Sequence, residues 1–420
     1  MKRHLPGLVF LSSLALMSSI LLVVPADDWL ALFVYGPVVV LMAVLLYHKG
    51  IKPVDPDFPG ALFALAFILK LLGSVARYWM AFDLYGGAAD AGAYHQHGQY
   101  IAQYLSNFDF SVFSYYTVGG LGTTHLTLIT GIIYAVLPAS QAGLFFFFAT
   151  LALAGCVLCY RAFRLGFPEV APERYRLVIF FLPSILFWPS SVGKEAWLLF
   201  SSGLVAYGFA KLVRRNPVVG GAWVVTGLWA VFLIRPHFAT LMVVAMGAAY
   251  LLTLPQIARK SPAVLLLGGA LIVALAAFIV PSGGDYVGAN EFSLDEFEAR
   301  YEFYQGNTSQ GGSSFQTYSL LNPIGWVLGP ITVLFRPFPW EAGNPQMLVT
   351  ALESFFWLGL AWRQRDVFRQ RLGRLRSDPW LAFVALYTLV MILAFTTFGN
   401  FGILARQRTL LLPFFWMLFV

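Results

Sequence analysis

Apolar residues run along this chain in long segments that are separated by short polar connections. A helix needs about 20 mostly apolar residues to cross the roughly 30 Å hydrocarbon core of a bilayer. About thirteen segments meet or approach that length, so the pattern predicts an all-α polytopic bundle of about 12–14 transmembrane helices in a single transmembrane domain, 1–420. The predicted spans are 1–24, 29–47, 58–80, 120–137, 141–160, 177–188, 195–211, 218–234, 238–254, 263–280, 347–362, 380–398 and 404–420.

Two long polar stretches interrupt this pattern, and we predict that both are loops on the outer side of the membrane. The first outer loop is 81–119 and the second is 281–345. The second begins with an acidic amphipathic stretch, 291–298, and continues into a Gly/Ser/Gln-rich run, 305–314, which is typical of a mobile lid. Its end, 322–340, contains four prolines and predicts a re-entrant or interfacial element.

Composition and charge set the orientation. Hydrophobic residues make up 59% of the chain and charged residues only 11%, which excludes an ordinary soluble protein. The net charge of +7 comes from short basic connections, which face the cytoplasm in membrane proteins. The segment 1–24 could by itself be a signal peptide, but a second apolar run follows at once, so we interpret it as a retained signal anchor with a cytoplasmic N-terminus. With this orientation, the basic connections all face the cytoplasm only if one predicted helix before residue 160 does not cross the membrane. We expect this re-entrant or interfacial element within 108–137.

Polar residues outside the basic connections are the informative ones, because an ionisable group near hydrocarbon requires a partner or a water-filled cavity. In the predicted orientation nearly all of them fall on the outer side, so distant segments are expected to supply one mixed-charge cavity there. These residues are Asp83, Asp90, His95, His97, Lys194, Glu195, Arg235, His237, Arg336, Glu341, Glu353, Arg406 and Arg408.

The first outer loop holds the candidate catalytic residues Asp90, Asp83 and His95. Asp90 opens a helical pattern in which Tyr94, a candidate substrate-binding residue, and His97 share its face. A carboxylate there could deprotonate an acceptor hydroxyl, hold a metal ion, or only cap the helix. His95 and His97 are two positions apart and do not share a helix face, so no metal is predicted, although a divalent ion stays open.

Two further segments have the pattern of phosphate-binding sites. The turn 189–193 opens a helix at Lys194, so backbone amides and an ammonium group could hold an anion; alternatively Lys194 only pairs with Glu195. Arg235 lies between two apolar helices beside His237, where its guanidinium could bind a diphosphate or anchor lipid headgroups.

The basic residues near the C-terminus and in the third predicted span are open to two interpretations. Arg406 and Arg408 form an outer basic pair that departs from the usual charge distribution, which favours a binding role. Lys70 and Arg77 share one helix face and either line a lipid-carrier groove or are buried partners of Glu353.

Several of these stretches resemble the membrane-embedded bacterial polysaccharide polymerases of the Wzy and EpsG type and their GT-C-type glycosyltransferase relatives. The matching segments span most of the chain: Asp90-Ala91-x-x-Tyr94-His95, Pro183-Ser184-x-x-Phe187-Trp188 leading to Gly193-Lys194-Glu195, Arg235-Pro236-His237, Arg336-Pro337-Phe338-Pro339-Trp340-Glu341, and Arg406-x-Arg408. The chain departs from mannosyl-type transferases in having no acidic pair after its first helix. The resemblance implies a GT-C-like fold in the bacterial inner membrane.

The resemblance also implies the reaction. A sugar or oligosaccharide on a polyprenyl phosphate or diphosphate would pass to a glycan acceptor hydroxyl at the extracytoplasmic face, in O-antigen or exopolysaccharide synthesis. The phosphate- and substrate-binding candidates are then Tyr94, Lys194, Glu195, Arg235, His237, Arg336, Glu341, Glu353, Arg406 and Arg408. Expected partners are the polyprenyl-linked glycan, membrane lipids and other polysaccharide-assembly proteins, with no nucleic acid and no cofactor. A transporter or flippase of lipid-linked oligosaccharides is the alternative, and an assembly protein is the third interpretation.

Overall fold

The computed structural model describes residues 4–87, 90–287, 294–309 and 312–420, and within these residues it contains helices and no strands. The prediction of an all-α fold is confirmed. Twenty-one α-helices occur in the described residues, α1 to α21: Leu5–Val23, Trp29–Leu45, Gly60–Trp79, Asp90–Ser106, Val112–Tyr115, Leu121–Val136, Gln141–Gly166, Glu173–Phe181, Pro183–Phe187, Lys194–Arg214, Pro217–Ile234, Pro236–Leu252, Leu254–Lys260, Gly269–Val287, Leu294–Thr308, Pro323–Phe335, Pro345–Arg363, Arg365–Gly373, Pro379–Phe395, Phe401–Arg408 and Leu412–Met417.

Seven helical segments in the described residues are long and apolar enough to cross a membrane, so the chain is a multi-pass membrane protein. They are Leu5–Val23, Ala26–Ile51, Gly60–Leu84, Gln141–Gly166, Lys194–Arg214, Pro217–Ile234 and Val264–Ser282. Four shorter helices are also apolar: Leu121–Val136, Pro236–Leu252, Pro323–Phe335 and Pro379–Phe395. Many helices begin on a proline, whose missing N–H has no helical partner at that position.

Two predicted spans are each broken into two short helices. The span at 177–188 consists of the end of α8 and of α9, which are separated at Leu182 because Pro183 cannot donate the hydrogen bond that would continue α8. The span at 404–420 consists of α20 and α21, and Pro413 lies at the beginning of the second helix. The apolar content of these segments was recognised correctly, but their continuity was not.

The chain divides into two compact units, which we describe separately. Unit 1 comprises Met1–Leu165, Ile179–Tyr207 and Trp229–Arg235. In it, α1 packs along α3, and α4 packs along α6. A Cβ atom on Gly98 of α4 would lie 2.5 Å from Cγ2 of Thr130, and one on Gly131 of α6 would lie 2.3 Å from Cγ2 of Ile101. Glycine therefore allows this close crossing, and much of the predicted first loop is a packed helix.

Unit 2 comprises Gly166–Val178, Gly208–Leu228 and Pro236–Val420. In it α12 packs between α14 and α19, and α16 contacts both α17 and α19. Trp380 at the start of α19 is fully buried and lies directly against Gly166. Large aromatic side chains form much of its interior, including a close pair of Phe209 and Phe383 rings with centroids 4.6 Å apart.

The predicted mobile lid, 305–314, is in its described parts an ordered element of unit 2. Residues 305–308 are the end of α15. The Ser313 hydroxyl donates to Asn400 Oδ1 (3.0 Å), the Phe401 amide donates to Ser313 O (3.0 Å), and Phe315 stacks on Phe401. Asn400 also caps α20, so a single side chain secures both segments. Within the predicted acidic stretch, Glu291 and the side chains of Asp295 and Glu296 lie outside the described structure.

Candidate functional site

The strongest candidate site in unit 1 surrounds the N-terminus of α10. Lys194 Nζ donates a 3.0 Å hydrogen bond to Oγ1 of Thr123, in the first turn of α6. The next residue, Glu195, is buried and forms an ion pair with Arg235, whose Nη2 lies 3.7 Å from Oε1. Four side chains thus form one cluster, from α6, from α10 and from the link between α11 and α12. The charges of Lys194, Arg235 and Glu195 sum to +1.

Close backbone contacts hold this cluster in place. A Cβ on Gly122 would lie 2.1 Å from Ile234 O, so only glycine lets α6 begin directly against the end of α11. Trp197 Nε1 donates to Ala230 O (2.7 Å) and ties α10 to α11 one turn further on. The positions of Thr123 and Arg235 relative to Lys194 therefore depend on close contacts among α6, α10 and the end of α11.

The segment that leads into α10 is secured from α3. Lys70 is 1% exposed, and its Nζ donates to Ile185 O (2.6 Å) in α9. The guanidinium of Arg77 lies 5.3 Å and 5.1 Å from the ring centroids of Phe187 and Trp188. Lys70 and Arg77 thus both contact the broken segment that precedes the Lys194 turn, a role that neither interpretation from the sequence included.

Chemically, the cluster is suited to an anion. Lys194 is only partly buried, and it lies at the positive end of a 21-residue helix. The alternative that Lys194 only pairs with Glu195 does not describe this geometry, because the ion pair is between Glu195 and Arg235 while Lys194 contacts Thr123. Sequence reasoning missed Thr123, whose only signal was its place after the Gly119-Gly120 pair that starts α6.

The candidate catalytic residues of the first polar stretch are placed at the start of α4 and before it. Asp83 and Asp90 are both exposed to the surroundings. Because α4 is continuous from Asp90 to Ser106, Asp90, Tyr94 and His97 share a helix face as predicted. Their burial differs along that face: Asp90 is exposed, Tyr94 is 1% exposed, and His97 is partly buried near the ring of Tyr116, at a centroid distance of 6.1 Å.

His95 takes part in a short hydrogen-bonded chain. Its Nδ1 lies 2.7 Å from the Tyr134 hydroxyl, which itself donates to Ser140 O (2.9 Å). Since a carbonyl can only accept, the Tyr134 oxygen is left to accept from His95, which assigns the ring proton to Nδ1. Burial lowers the pKa of His95, and attraction to Asp28 opposes this only in part. The His95 ring is therefore neutral over a wider pH range than usual, with Nε2 as its acceptor.

The remaining candidate site residues lie in unit 2. There Arg336 and Arg408 form hydrogen bonds with other groups of the protein. Arg336 donates through Nε to both carboxylate oxygens of Glu341, at 3.0 and 3.1 Å, and also through Nη2. Its guanidinium lies within 5.0 Å of the ring centroids of Phe315 and Phe401. Burial raises the pKa of Glu341, but hydrogen bonds from Arg336 and from the Phe338 amide outweigh this, and the pKa lies below its ordinary value.

Arg408 is buried even more completely, at 1% exposure. Its guanidinium donates to Leu334 O and to Arg336 O, both at 2.8 Å, and to the Ser354 hydroxyl at 3.2 Å. Glu353, next to Ser354 on α17, is buried and attracts Arg408 electrostatically. Through these contacts Arg408 supplies hydrogen-bond donors to backbone carbonyls at the C-terminal end of α16. The geometry thus gives no support to a phosphate-binding role for Arg336 or Arg408.

Two predicted residues of unit 2 are less deeply placed. Arg406 is partly buried on α20, two residues before Arg408. His237 is the second residue of α12 and is also partly buried, with its ring 4.7 Å from that of Phe238. Among the described residues, no three His, Cys, Asp or Glu side chains come together as a metal site.

Comparisons with known proteins assign no family to this chain. No protein-family model matches the sequence, and no characterised protein or solved structure is significantly similar to it.

Proposed function

We propose that this protein is a membrane glycosyltransferase or polysaccharide polymerase, which transfers a sugar or oligosaccharide from a polyprenyl phosphate or diphosphate to a glycan acceptor hydroxyl. The observation that carries this proposal is the cluster of Thr123, Lys194, Glu195 and Arg235 at the start of α10. It combines two cations, a helix N-terminus and a hydroxyl in a protein embedded in lipid. Such a group suits the phosphate of a lipid-linked substrate.

In the proposed reaction, the bond between the anomeric carbon and the phosphate oxygen of the donor breaks. The acceptor hydroxyl oxygen forms the new bond to that carbon and loses its proton. Lys194 and Arg235 stabilise the negative charge on the leaving phosphate, and Glu195 holds the Arg235 fork in position. Asp90 is the proposed base, with Asp83 and His95 as the other candidates from the first polar stretch.

Several architectural features belong to the same proposal: a GT-C-like bundle of about 12–14 helices, outer loops at 81–119 and 281–345, and residence in the bacterial inner membrane. In this proposed topology α6 is the non-crossing element that the charge distribution requires before residue 160, and its 16 residues form one of the shorter apolar helices.

The test is transfer by the purified protein in lipid vesicles that contain polyprenyl-diphosphate oligosaccharides, with product length measured by gel. We expect elongation by the wild type. The variant Arg235→Met should weaken donor binding by roughly 2–5 kcal/mol, as for other lost buried charge partners. The variant Asp90→Asn should bind donor normally but form no product. Arg376→Met, which removes an exposed cation in a basic connection, is the matched control.

The outcomes separate the three functions considered for this chain. Elongation that Arg235→Met and Asp90→Asn abolish, and that Arg376→Met leaves intact, supports the enzyme. Movement of the intact lipid-linked glycan across the bilayer without new product would identify a transporter. Absence of both activities, in a protein that is folded and binds no donor, would leave an assembly role.

A further inference from the structure

A second site in unit 1 lies between the first two helices, away from the α10 cluster. It is a cavity of about 380 Å³, within the usual size range of ligand pockets. Its floor is formed by Val39, Leu71 and Phe146, which belong to a buried cluster. Its walls come from α1, between Leu16 and Leu21, and from α2, between Trp29 and Val40.

The length of this groove matches one leaflet of a bilayer. Along α2 the lining runs from Trp29 to Val40, about 17 Å at the rise of an α-helix, and half of the roughly 30 Å hydrocarbon core is about 15 Å. One end lies at the short connection between α1 and α2. Trp29 begins α2 there, is 37% exposed and donates through Nε1 to Val24 O (3.0 Å). Tryptophan at a helix end typically marks the headgroup level.

The connection carries negative charge at that level. Asp27 is exposed, and the neighbouring Asp28 accepts a 2.8 Å hydrogen bond from the Ala142 amide. The sequence 24–30 contains two aspartates and no lysine or arginine. A lipid with a net negative headgroup would be repelled here, whereas a protonated amine could donate a charge-assisted hydrogen bond to Asp27.

We propose that this groove binds one acyl chain of a phospholipid whose headgroup carries a protonated primary amine, of the phosphatidylethanolamine type. The chain lies on the Val39–Leu71–Phe146 floor and the ammonium group contacts Asp27. This lipid is a bound component of the protein and is separate from the proposed transfer reaction. Its binding is measured without turnover, so either proposal can fail while the other stands.

Gly36 provides a direct test, because it lines the groove and a Cβ placed on it would meet no atom within 4 Å. Gly36→Phe should therefore place its ring in the groove, and its Cβ meets no other atom. Gly359 on α17 has the same open surroundings and lies outside the groove, so Gly359→Phe is the matched control. Val40→Trp is a second groove-filling variant, for use if Gly36→Phe does not fold.

The experiment incubates each purified variant in detergent with equal amounts of dioleoyl phosphatidylethanolamine and dioleoyl phosphatidylglycerol and counts bound lipids by native mass spectrometry. The wild type and Gly359→Phe should retain the amine lipid over the glycerol lipid by about threefold, the effect of one exposed charge pair. Gly36→Phe should lose both lipids, and Asp27→Asn should retain both equally. Wild-type lipid retention by the groove-filling variants would overturn the site. Equal or reversed lipid preference in the wild type would overturn the headgroup assignment.

Discussion

At the scale of single residues, the buried cations Lys70 and Arg408 show how this chain accommodates charge inside a membrane protein. Lys70 donates to Ile185 O, and Arg408 donates to Leu334 O and Arg336 O. Ile185 and Leu334 lie in the last turns of α9 and α16, and Arg336 directly follows α16. A proline comes two residues after the end of each helix, so helical N–H donors run out there. Each cation therefore replaces missing backbone hydrogen bonds, and its burial is offset by charge-assisted donation.

Arg408→Met should destabilise the protein by about 3 kcal/mol or more, because it leaves buried carbonyls without a donor and Glu353 without its nearby charge. The measurement is urea unfolding in detergent micelles. Arg406→Met, on the same helix but less buried, is the control and should have a much smaller effect. A variant Arg408→Met as stable as the wild type, yet deficient in donor binding, would restore the phosphate-binding role that we withdrew.

The lowered pKa of His95 makes stability depend on pH. The unfolded chain takes up a proton near the ordinary pKa of about 6.5, whereas the folded chain does so only at lower pH. The unfolded state therefore binds more protons in that interval, and stability should fall as pH decreases from about 7 through 6.5. His95→Gln should flatten this part of a melting-temperature profile, and an unchanged slope would contradict the assignment.

Sequence reasoning located the chemistry-bearing residues but not their partners. Lys194, Glu195 and Arg235 were recognised because ionisable groups at helix ends stand out in an apolar chain. The partner Thr123 could not be recognised, since a threonine in an apolar helix is common and only the Gly122 contact brings it to Lys194. The contacts of Arg408 could not be predicted, because sequence does not show that its donors meet carbonyl groups about 70 positions earlier.

At the scale of helices, glycine positions determine which helices approach most closely. The sequence predicted a helical pattern from Asp90 within the polar stretch 81–119 and an apolar helix at 120–137. The structure packs these two helices against each other through Gly98 and Gly131. Packing of small residues carries no strong hydropathy signal, which is why the pattern predicted the two helices but not their close contact.

The α4–α6 crossing should be sensitive to a single methyl group. Gly98→Ala would place a Cβ 2.5 Å from Thr130, so α4 should shift, with a cost of about 1–3 kcal/mol for overpacking. Gly92→Ala on the same helix meets atoms only at 3.6 Å and beyond, and its better helix propensity should make it neutral or slightly stabilising. Proteolysis within α4 measures the difference. Equal cleavage of the two variants would contradict this crossing.

At the scale of the whole molecule, the distribution of the basic connections leads us to propose one topology. With a cytoplasmic N-terminus, Ala26–Ile51 and Gly60–Leu84 cross after the first helix, and 85–120 lies outside. The long helix Gln141–Gly166 must then start outside, because the basic residues that follow it belong inside. In the proposed topology both conditions hold because α6 enters and leaves on the outer side.

This topology can be read out by labelling single cysteines in a background that lacks Cys156 and Cys159, which are buried and unpaired with each other. Cysteines at Ser114 and Ala139, the exposed positions before and after α6, should both react with a membrane-impermeant maleimide added to intact cells. Exposed controls at Asp57 and Ala171 should react only after the cells are opened. If α6 crosses fully, 114 and 139 will label from opposite sides. The Gln141–Gly166 helix would then run the other way and place its arginines outside, against the charge rule that orients the basic connections 211–215, 259–260 and 363–376.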